Sequence, residues 1–328
     1  IMLSTANGEG NLFHTLWMGS QTGSGTGSQF KDVFFPWWAS DRDDAWYEAK
    51  KNELPEWQLA QEYPSDPEEA FLKSGRPVFD LEKLRAMELI DPMKGRLARE
   101  EQGGWYFDED GGNLAIWEMP QPTGTYAIGA DVAFGLEHGD YSSAHVIDAR
   151  SGRVCATWHG HADPDLFGEN VLFPLAKFYN NALLGVENNN HGLTVVRTLQ
   201  RLGYHNQYKS RSLNKKRMKA TETLGWNTNH ASKPLAIDEL NKALRDGGMG
   251  LSCAHTITEL RTFVREGDGK MHGSPHDDRV MSLAIANQMV KFAWLPEYRK
   301  KTPKPGPGTW GHLLSHAFKD EGKKKDRK

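Results

Sequence analysis

Four acidic side chains occupy positions where the surrounding sequence is apolar. Asp131 ends the run Tyr126-Ala127-Ile128-Gly129-Ala130, Glu187 ends Leu183-Leu184-Gly185-Val186, and Asp277-Asp278 open an apolar helix. An ionised carboxylate at the edge of a core is costly unless positive charge offsets it. No Lys or Arg follows at a spacing that would pair with these acids locally. The compensating charge read from this pattern is a bound cation, and carboxylate oxygens suit hard divalent ions, Mg²⁺ or Mn²⁺. Asp277 and Asp278 also lie where the partial positive charge of a helix N-terminus favours the ionised form. Two such ions about 3.5–4 Å apart would activate a water and stabilise the leaving oxygen of a phosphodiester, so hydrolysis without a covalent intermediate is expected. Taken singly, Asp131 could cap a strand-end turn, Glu187 could pair with a distant Arg, and the Asp doublet could be ordinary first-turn acids. Two separate buried strands each ending in an unneutralised acid favour the joint reading. Asp140, in Gly139-Asp140-Tyr141-Ser142-Ser143, fits either a supporting role or the start of a strand.

The elements that must position these acids follow from pattern. Thr125–Ala133 reads as a strand, and Ser143–Arg150 with Arg153–Gly160 as a hairpin across Ser151-Gly152. Asp163-Pro164 marks a helix start, with Asp as N-cap and Pro at the first helical position. Leu183–Asn188 reads as a buried strand, His191–Leu202 as a helix stopping at Gly203, and Ser232–Arg245 as a helix closing at Gly247-Gly248. Met249–Cys253 is expected as a short strand, Thr256–Arg265 as a helix, and Ser274-Pro275 as the cap of a long helix reaching about Phe292. Three antiparallel strands followed by alternating helices and strands make a mixed α/β sheet with helices on its faces.

Before this block the sequence differs. Ile1–Gly8 reads as the end of a buried strand, which points to a piece of something longer, and Gly19–Ser28 is low-complexity loop. That Gly-rich run lacks the Gly-Lys-Ser/Thr ending of a phosphate-binding loop. Residues 41–72 read as helical with breaks at Pro55 and Pro64, and a second helical stretch is expected near 80–91.

The 328 residues exceed one average domain, so one sizeable domain with a smaller companion is expected. No apolar stretch approaches a membrane span, and the N-terminus lacks a secretory pattern. Cys155 and Cys253 lack CxxC spacing, so neither a disulfide framework nor a zinc ribbon is indicated, and a reducing, cytoplasmic setting is expected. The net charge of -3 announces no polyanion partner, but Lys209, Arg211, Lys215, Lys216, Arg217 and Lys219 cluster without an intervening acid. Such a cluster can neutralise nucleic-acid phosphates. It is expected as a loop overhanging the acids, helped by Lys233, while the basic residues from Arg299 to Lys325 are expected as a disordered tail.

The segments Gly129-Ala130-Asp131-Val132-Ala133, Gly139-Asp140-Tyr141-Ser142, Val186-Glu187-Asn188-Asn189-Asn190-His191-Gly192, Leu224-Gly225-Trp226-Asn227-Thr228 and His276-Asp277-Asp278-Arg279-Val280 carry a resemblance. Together, and in this order across about 125–292, they resemble the nuclease domain of tailed-bacteriophage terminase large subunits. The resemblance implies an RNase H-like fold and metal-dependent cutting of concatemeric double-stranded phage DNA during genome packaging. Carried over by position, Asp131, Glu187 and Asp277 become catalytic metal ligands for two divalent cations. Asp278 becomes a neighbouring or alternative ligand, with Asp140, His191 and His276 in support. Ser4-Thr5-Ala6-Asn7 resembles the coupling motif that ends the packaging ATPase core, and Glu62–Phe71 resembles the segment joining the two domains. A Walker A sequence is absent, so the resemblance implies a fragment that keeps the nuclease and lacks ATP hydrolysis. It divides the chain into residues 1–75 (the end of an ATPase domain and linker), 76–120 (a connecting segment), 121–296 (the nuclease) and 297–328 (the tail). It also implies a host-cytoplasmic setting, a portal ring and small terminase subunit as partners of the longer protein, and a monomeric isolated fragment.

Rival readings are a Holliday-junction resolvase or transposase of the same fold and a non-catalytic DNA- or portal-binding module. A transposase orders its acids Asp, Asp, Glu, whereas here the order is Asp, Glu, Asp. His159-Gly160-His161 prompts a zinc hydrolase, but no Asp or His at ligand spacing completes the set.

Overall fold

The structure is a computed structural model that describes residues 2–6, 12–21, 31–73, 77–101, 103–135, 140–189, 191–214, 219–265, 269–273 and 276–293. The basic tail, Lys215, Lys216, Arg217, Ser274-Pro275 and most of the Gly19–Ser28 run lie outside these residues. The N-terminal part is helical: α1 (Leu12–Gln21), α2 (Asp44–Glu53), α3 (Glu56–Glu62), α4 (Pro67–Lys73) and α5 (Leu81–Arg85). Pro55 and Pro64 separate the middle three, as expected of residues that cannot continue a helix. Asp43 caps α2 by accepting from the Trp46 N–H, and Asp80 caps α5 by accepting from Glu82 and Lys83. Residues 2–6 form no strand; Ala6 is instead buried with Ala70 and Phe71. The helix expected over 80–91 stops at Arg85.

A seven-stranded mixed sheet follows. Its members are β1 (Met93–Arg99), β2 (Trp105–Asp108), β3 (Leu114–Ile116), β4 (Tyr126–Asp131), β5 (Ser142–Asp148), β6 (Val154–Gly160) and β7 (Leu183–Val186), in the order β2-β1-β3-β6-β5-β4-β7. β4, β5 and β6 are antiparallel and β7 lies parallel to β4, which is the RNase H-like strand arrangement. The parallel edge continues through single bridges, Leu184 to Gln207 and Glu187 to Trp226. Residues 93–116, expected as mere connection, supply three strands to the sheet. β1 reads Met-Lys-Gly-Arg-Leu-Ala-Arg and is mostly exposed, so it carries little of the apolar signal that marks a strand.

Alternation along β4 explains why both faces are covered. Tyr126, Ile128 and Ala130 pack with Phe167, Leu172, Leu175, Val195 and Leu199. These come from α6 (Pro164–Leu166), a π-helical turn over Phe167–Leu172, α7 (Phe173–Phe178) and α8 (Gly192–Arg201). Ala127 faces the other way, joining a core formed with α9 (Ser232–Arg245), α10 (Ala254–Arg261) and α11 (Asp278–Val290). Each fully buried Leu or Ile in these layers contributes about 1.5–3 kcal/mol.

Several local expectations are corrected. Asp163 stands before α6, but its side chain makes no capping hydrogen bond. Residues 249–253 form only a bridge from Gly250 to Arg153 rather than a strand. The helix expected over 256–265 ends at Arg261, and Val264–Arg265 becomes β10, paired with β11 (Met271–His272). The Lys209–Lys219 loop is instead a ribbon, β8 (Lys209–Asn214) against β9 (Lys219–Leu224). Its sequence alternates with period two, which pleats more readily than it loops.

Candidate functional site

Two strands and one helix bring the acids together, and a glycine sets the spacing. Gly129 on β4 pairs with Gly185 on β7, and both face α11. A Cβ at Gly129 would stand 2.1 Å from the Ala286 amide nitrogen and 2.3 Å from the Ser282 carbonyl oxygen, so only glycine allows α11 to lie this close. Side chains two residues apart on a strand share a face. Asp131 therefore emerges on the α11 side, just past Gly129, and Glu187 does the same past Gly185. The Glu187 N–H donates to the Ala130 carbonyl at 2.8 Å, which holds the two strand ends in step. Gly192, at the start of α8, is pressed against the Glu187 carbonyl, where a Cβ would stand 1.6 Å away.

The carboxyl groups of Asp131 and Glu187 hydrogen-bond to each other. Glu187 is only 7% exposed, and among the described residues neither acid has a cationic partner. Burial first, then the bond to Glu187 and the charges of Glu187, Asp278 and Asp277, holds the Asp131 carboxyl well above the usual carboxylate range. Asp278, the first residue of α11, is buried and accepts from the Tyr141 N–H at 3.3 Å. Burial pushes it up to about 6, opposed by that N–H bond. Asp277 occupies the N-cap position and forms a 3.1 Å ion pair with Lys233 of α9. Helix α11 thus begins three residues after Pro275, later than the Ser-Pro signal implied.

Asp131, Glu187, Asp277 and Asp278 line one cleft of about 430 Å³, together with Asp140, His191, His276 and Phe134. The sequence-derived candidates for the metal site and its support therefore share a single cavity. The ring of His191 packs edge-on against Phe134, and that of His276 against Tyr141. Among the described residues, no three His, Cys, Asp or Glu side chains already surround one point as metal ligands. The donor chemistry still fits a hard divalent ion: the cleft offers carboxylate oxygens, and the Asp131–Glu187 pair has no cationic side chain beside it among the described residues.

The basic candidates are distributed differently. Lys233 sits at the cleft, but its ammonium is engaged by Asp277 rather than held free for a phosphate. Lys209 and Arg211 are exposed on the β8–β9 ribbon, where Arg211 pairs with Glu222 at 3.0 Å. Lys219 lies on the opposite strand of that ribbon. His159 and His161 pack against the Tyr141 ring, with centroids 4.5 Å and 4.0 Å away, and gather no third ligand. Burial and the nearby Arg279 push His159 down to about 3.

No known family profile matches the sequence, and no curated protein matches it. Solved structures do show similarity. The large terminase nuclease from thermophilic phage G20c aligns with 21% identity and a TM-score of 0.46, over 65% of this chain and 98% of that one. The same nuclease with bound magnesium aligns with 20% identity and a TM-score of 0.48, over 65% of this chain and 97% of that one. The large terminase nuclease domain of Thermus phage P74-26 aligns with 20% identity and a TM-score of 0.42, over 63% of this chain and 92% of that one.

Sequence reasoning missed the groups that hold the acids in place. Tyr141 contributes through its backbone N–H, and the Ser142 hydroxyl accepts from the Ala133 N–H at 3.1 Å, tying the following turn to the end of β4. A backbone donor leaves no mark on residue identity. The paired Gly129 and Gly185, each two residues before an acid, were the available signal.

Proposed function

We propose that this chain is a divalent-cation-dependent endonuclease that cuts double-stranded DNA, acting on concatemeric phage DNA during genome packaging. The observation that carries the reading is the meeting of Asp131 and the buried Glu187, without a cationic partner among the described residues, in one cleft with Asp277 and Asp278. The motifs quoted above from Gly129 to Val280 support the packaging context. In this reading Asp131, Glu187 and Asp278 hold Mg²⁺ or Mn²⁺, and Asp277 joins them when it leaves Lys233. When bound, a pair of such ions activates a water and stabilises the leaving oxygen of a phosphodiester. Burial and the neighbouring acids raise the Asp131 carboxyl, so its deprotonation is coupled to loading. Asp140, His191 and His276 form the rim that meets the substrate backbone, with the β8–β9 ribbon and Lys233 as further phosphate contacts.

The setting that follows is the host cytoplasm, with a portal ring and small subunit as partners of the longer protein. No described helix is long and apolar enough to cross a membrane. The test is incubation of supercoiled plasmid with the chain and Mn²⁺, beside its Asp131→Ala variant. Nicked and linear products from the parent alone are expected. Equal cutting by both proteins, or none by either across Mg²⁺ and Mn²⁺, overturns the proposal.

A further inference from the structure

We infer that Glu259 is a positioning residue for the acidic cleft: its carboxylate, paired with Arg279, sets the rotation of α11 that aims Asp278 at Asp131 and Glu187. The inference rests on the functional reading above only for its consequence at the metal site; the clamp itself is a matter of geometry. Helix α11 is buried almost all round, through Val280, Met281, Leu283, Ala284, Ile285, Ala286 and Met289. A helix that is apolar on every side gains nearly the same burial in several rotations about its axis. Each residue of slip turns a helix by about 100°, enough to carry Asp278 away from the strand ends. Gly129 and Gly185 seat the Ser282–Met289 part of α11 closely, and directional contacts nearer its start add to what sets the aim of Asp278.

Tyr141 and Lys233 hold the two aspartates themselves, and Ser143 accepts from the Ser282 hydroxyl; the directional contacts to the helix backbone and to Arg279 come from α10. The N-cap residue of α11, Asp277, makes no side-chain cap hydrogen bond. Glu259 supplies one from outside: its Oε2 accepts from the Arg279 N–H at 2.9 Å while its Oε1 pairs with the Arg279 Nε at 3.1 Å. Both side chains are largely buried, at 16% and 13% exposure. A second tie lies one turn further on. The His145 ring bridges the Ser282 and Thr256 hydroxyls at 2.8 Å and 3.0 Å. Thr256 and Glu259 are three apart on α10, as are Arg279 and Ser282 on α11, so one face of each helix carries both ties. Buried ion pairs add little net stability compared with apolar residues of similar volume, but they can specify one arrangement over others. Glu259 and Arg279 adjoin the acid whose direction matters, where such specificity has an effect.

The experiment compares wild type, Glu259→Gln and the apolar double variant Glu259→Leu/Arg279→Met. It measures thermal midpoint, metal-free amide hydrogen exchange at residues 278–281, and Mn²⁺ affinity by titration. The double variant is expected to keep a midpoint near wild type, whereas Glu259→Gln lowers it because Arg279 is left buried without its partner. Both variants are expected to exchange these amides about tenfold faster and to bind Mn²⁺ about tenfold or more weakly per folded molecule. A purely structural pair would leave affinity per folded molecule unchanged in both variants, which overturns the inference. Unchanged exchange in Glu259→Gln overturns the clamp whatever the metal result, and it remains informative if the double variant fails to fold. Faster exchange with unaltered Mn²⁺ affinity overturns the role at the site. If wild type binds no Mn²⁺ at all, the functional reading falls, while exchange still decides whether Glu259 sets the helix.

Discussion

The acids borne by strands and those borne by the helix are held in opposite ways. Asp131 and Glu187 stand on neighbouring backbone ends fixed by sheet hydrogen bonds, and their carboxyl groups hydrogen-bond to one another. Asp277 and Asp278 stand on one end of a helix, and each has an outside partner, the Lys233 ammonium and the Tyr141 N–H. The sheet thus provides a fixed pair that carries an unrelieved electrostatic cost, whereas the helix provides a pair whose cost is already partly met. If the cleft loads a cation, most of the gain in charge compensation falls on the strand pair.

The largest effect should follow from breaking that pair. Asp131→Asn or Glu187→Gln should lower Mn²⁺-dependent plasmid cutting by at least about 10³-fold, since the ions would lose a ligand at the reacting centre. The same substitutions should raise the thermal midpoint of the metal-free protein, because a neutral amide removes the burial cost and the repulsion between carboxylates. Lost cutting together with a lowered midpoint in both variants would mean that the pair is structural.

Asp278 sharpens the comparison through pH. Its folded value lies near 6 against an ordinary 3.8, so its contribution to metal-free stability is whole below about 3.8 and is lost as pH rises through about 6. At about 1.4 kcal/mol per tenfold change, the cost at neutral pH comes to about 3 kcal/mol. Asp278→Asn should therefore stabilise the metal-free protein above pH 6, and the advantage should vanish toward pH 4, as urea unfolding across that range would reveal. A constant difference between the two proteins at all pH values would break the assignment.

A smaller change is expected at the helix-borne pair. Lys233 and Asp277 are both partly exposed, and such pairs are worth about 1 kcal/mol or less. Lys233→Ala should release Asp277 and tighten Mn²⁺ binding by up to about fivefold. Weaker Mn²⁺ binding in that variant would show that the lysine orders the site instead of competing for it.

What the sequence disclosed follows the same division. Strands β4 and β7 were legible because uninterrupted apolar runs ended abruptly in an acid, and the β5–β6 hairpin because Ser151-Gly152 separates two strand-like stretches. α9 was legible to its last residue because Gly247 and Gly248 close it. The strands over 93–116 were not legible, since β1 is mostly exposed and β2 and β3 are only four and three residues long, and they gain their order from pairing with one another and, through β3, with β6. The four acids could be identified from where they end or open apolar segments. Their partners could not: Lys233 lies 44 residues before Asp277 and Tyr141 lies 137 residues before Asp278, distances that only the folded topology closes.

The smallest effect belongs to the ribbon, and it separates the two basic residues of β8, Lys209 and Arg211. Arg211 faces Glu222 directly across the β8–β9 register and forms an ion pair with it. At 70% and 36% exposure this pair is too solvated to add much stability, but it offsets part of the positive charge Arg211 presents. If the ribbon follows a DNA backbone, each phosphate neutralised adds about 0.9 to the slope of log affinity against log salt. Lys209→Ala should then flatten that slope by close to one contact, Arg211→Ala by less, and Glu222→Gln should tighten binding as it removes the negative charge facing the guanidinium. Because these contacts are to phosphate, the losses should be alike for unrelated DNA sequences. Fluorescence anisotropy on two unrelated duplexes at several salt concentrations measures all three variants. Equal slopes for wild type and Lys209→Ala would remove the ribbon from the DNA path and leave the cleft rim, with His191 and His276, as the contact surface to test next.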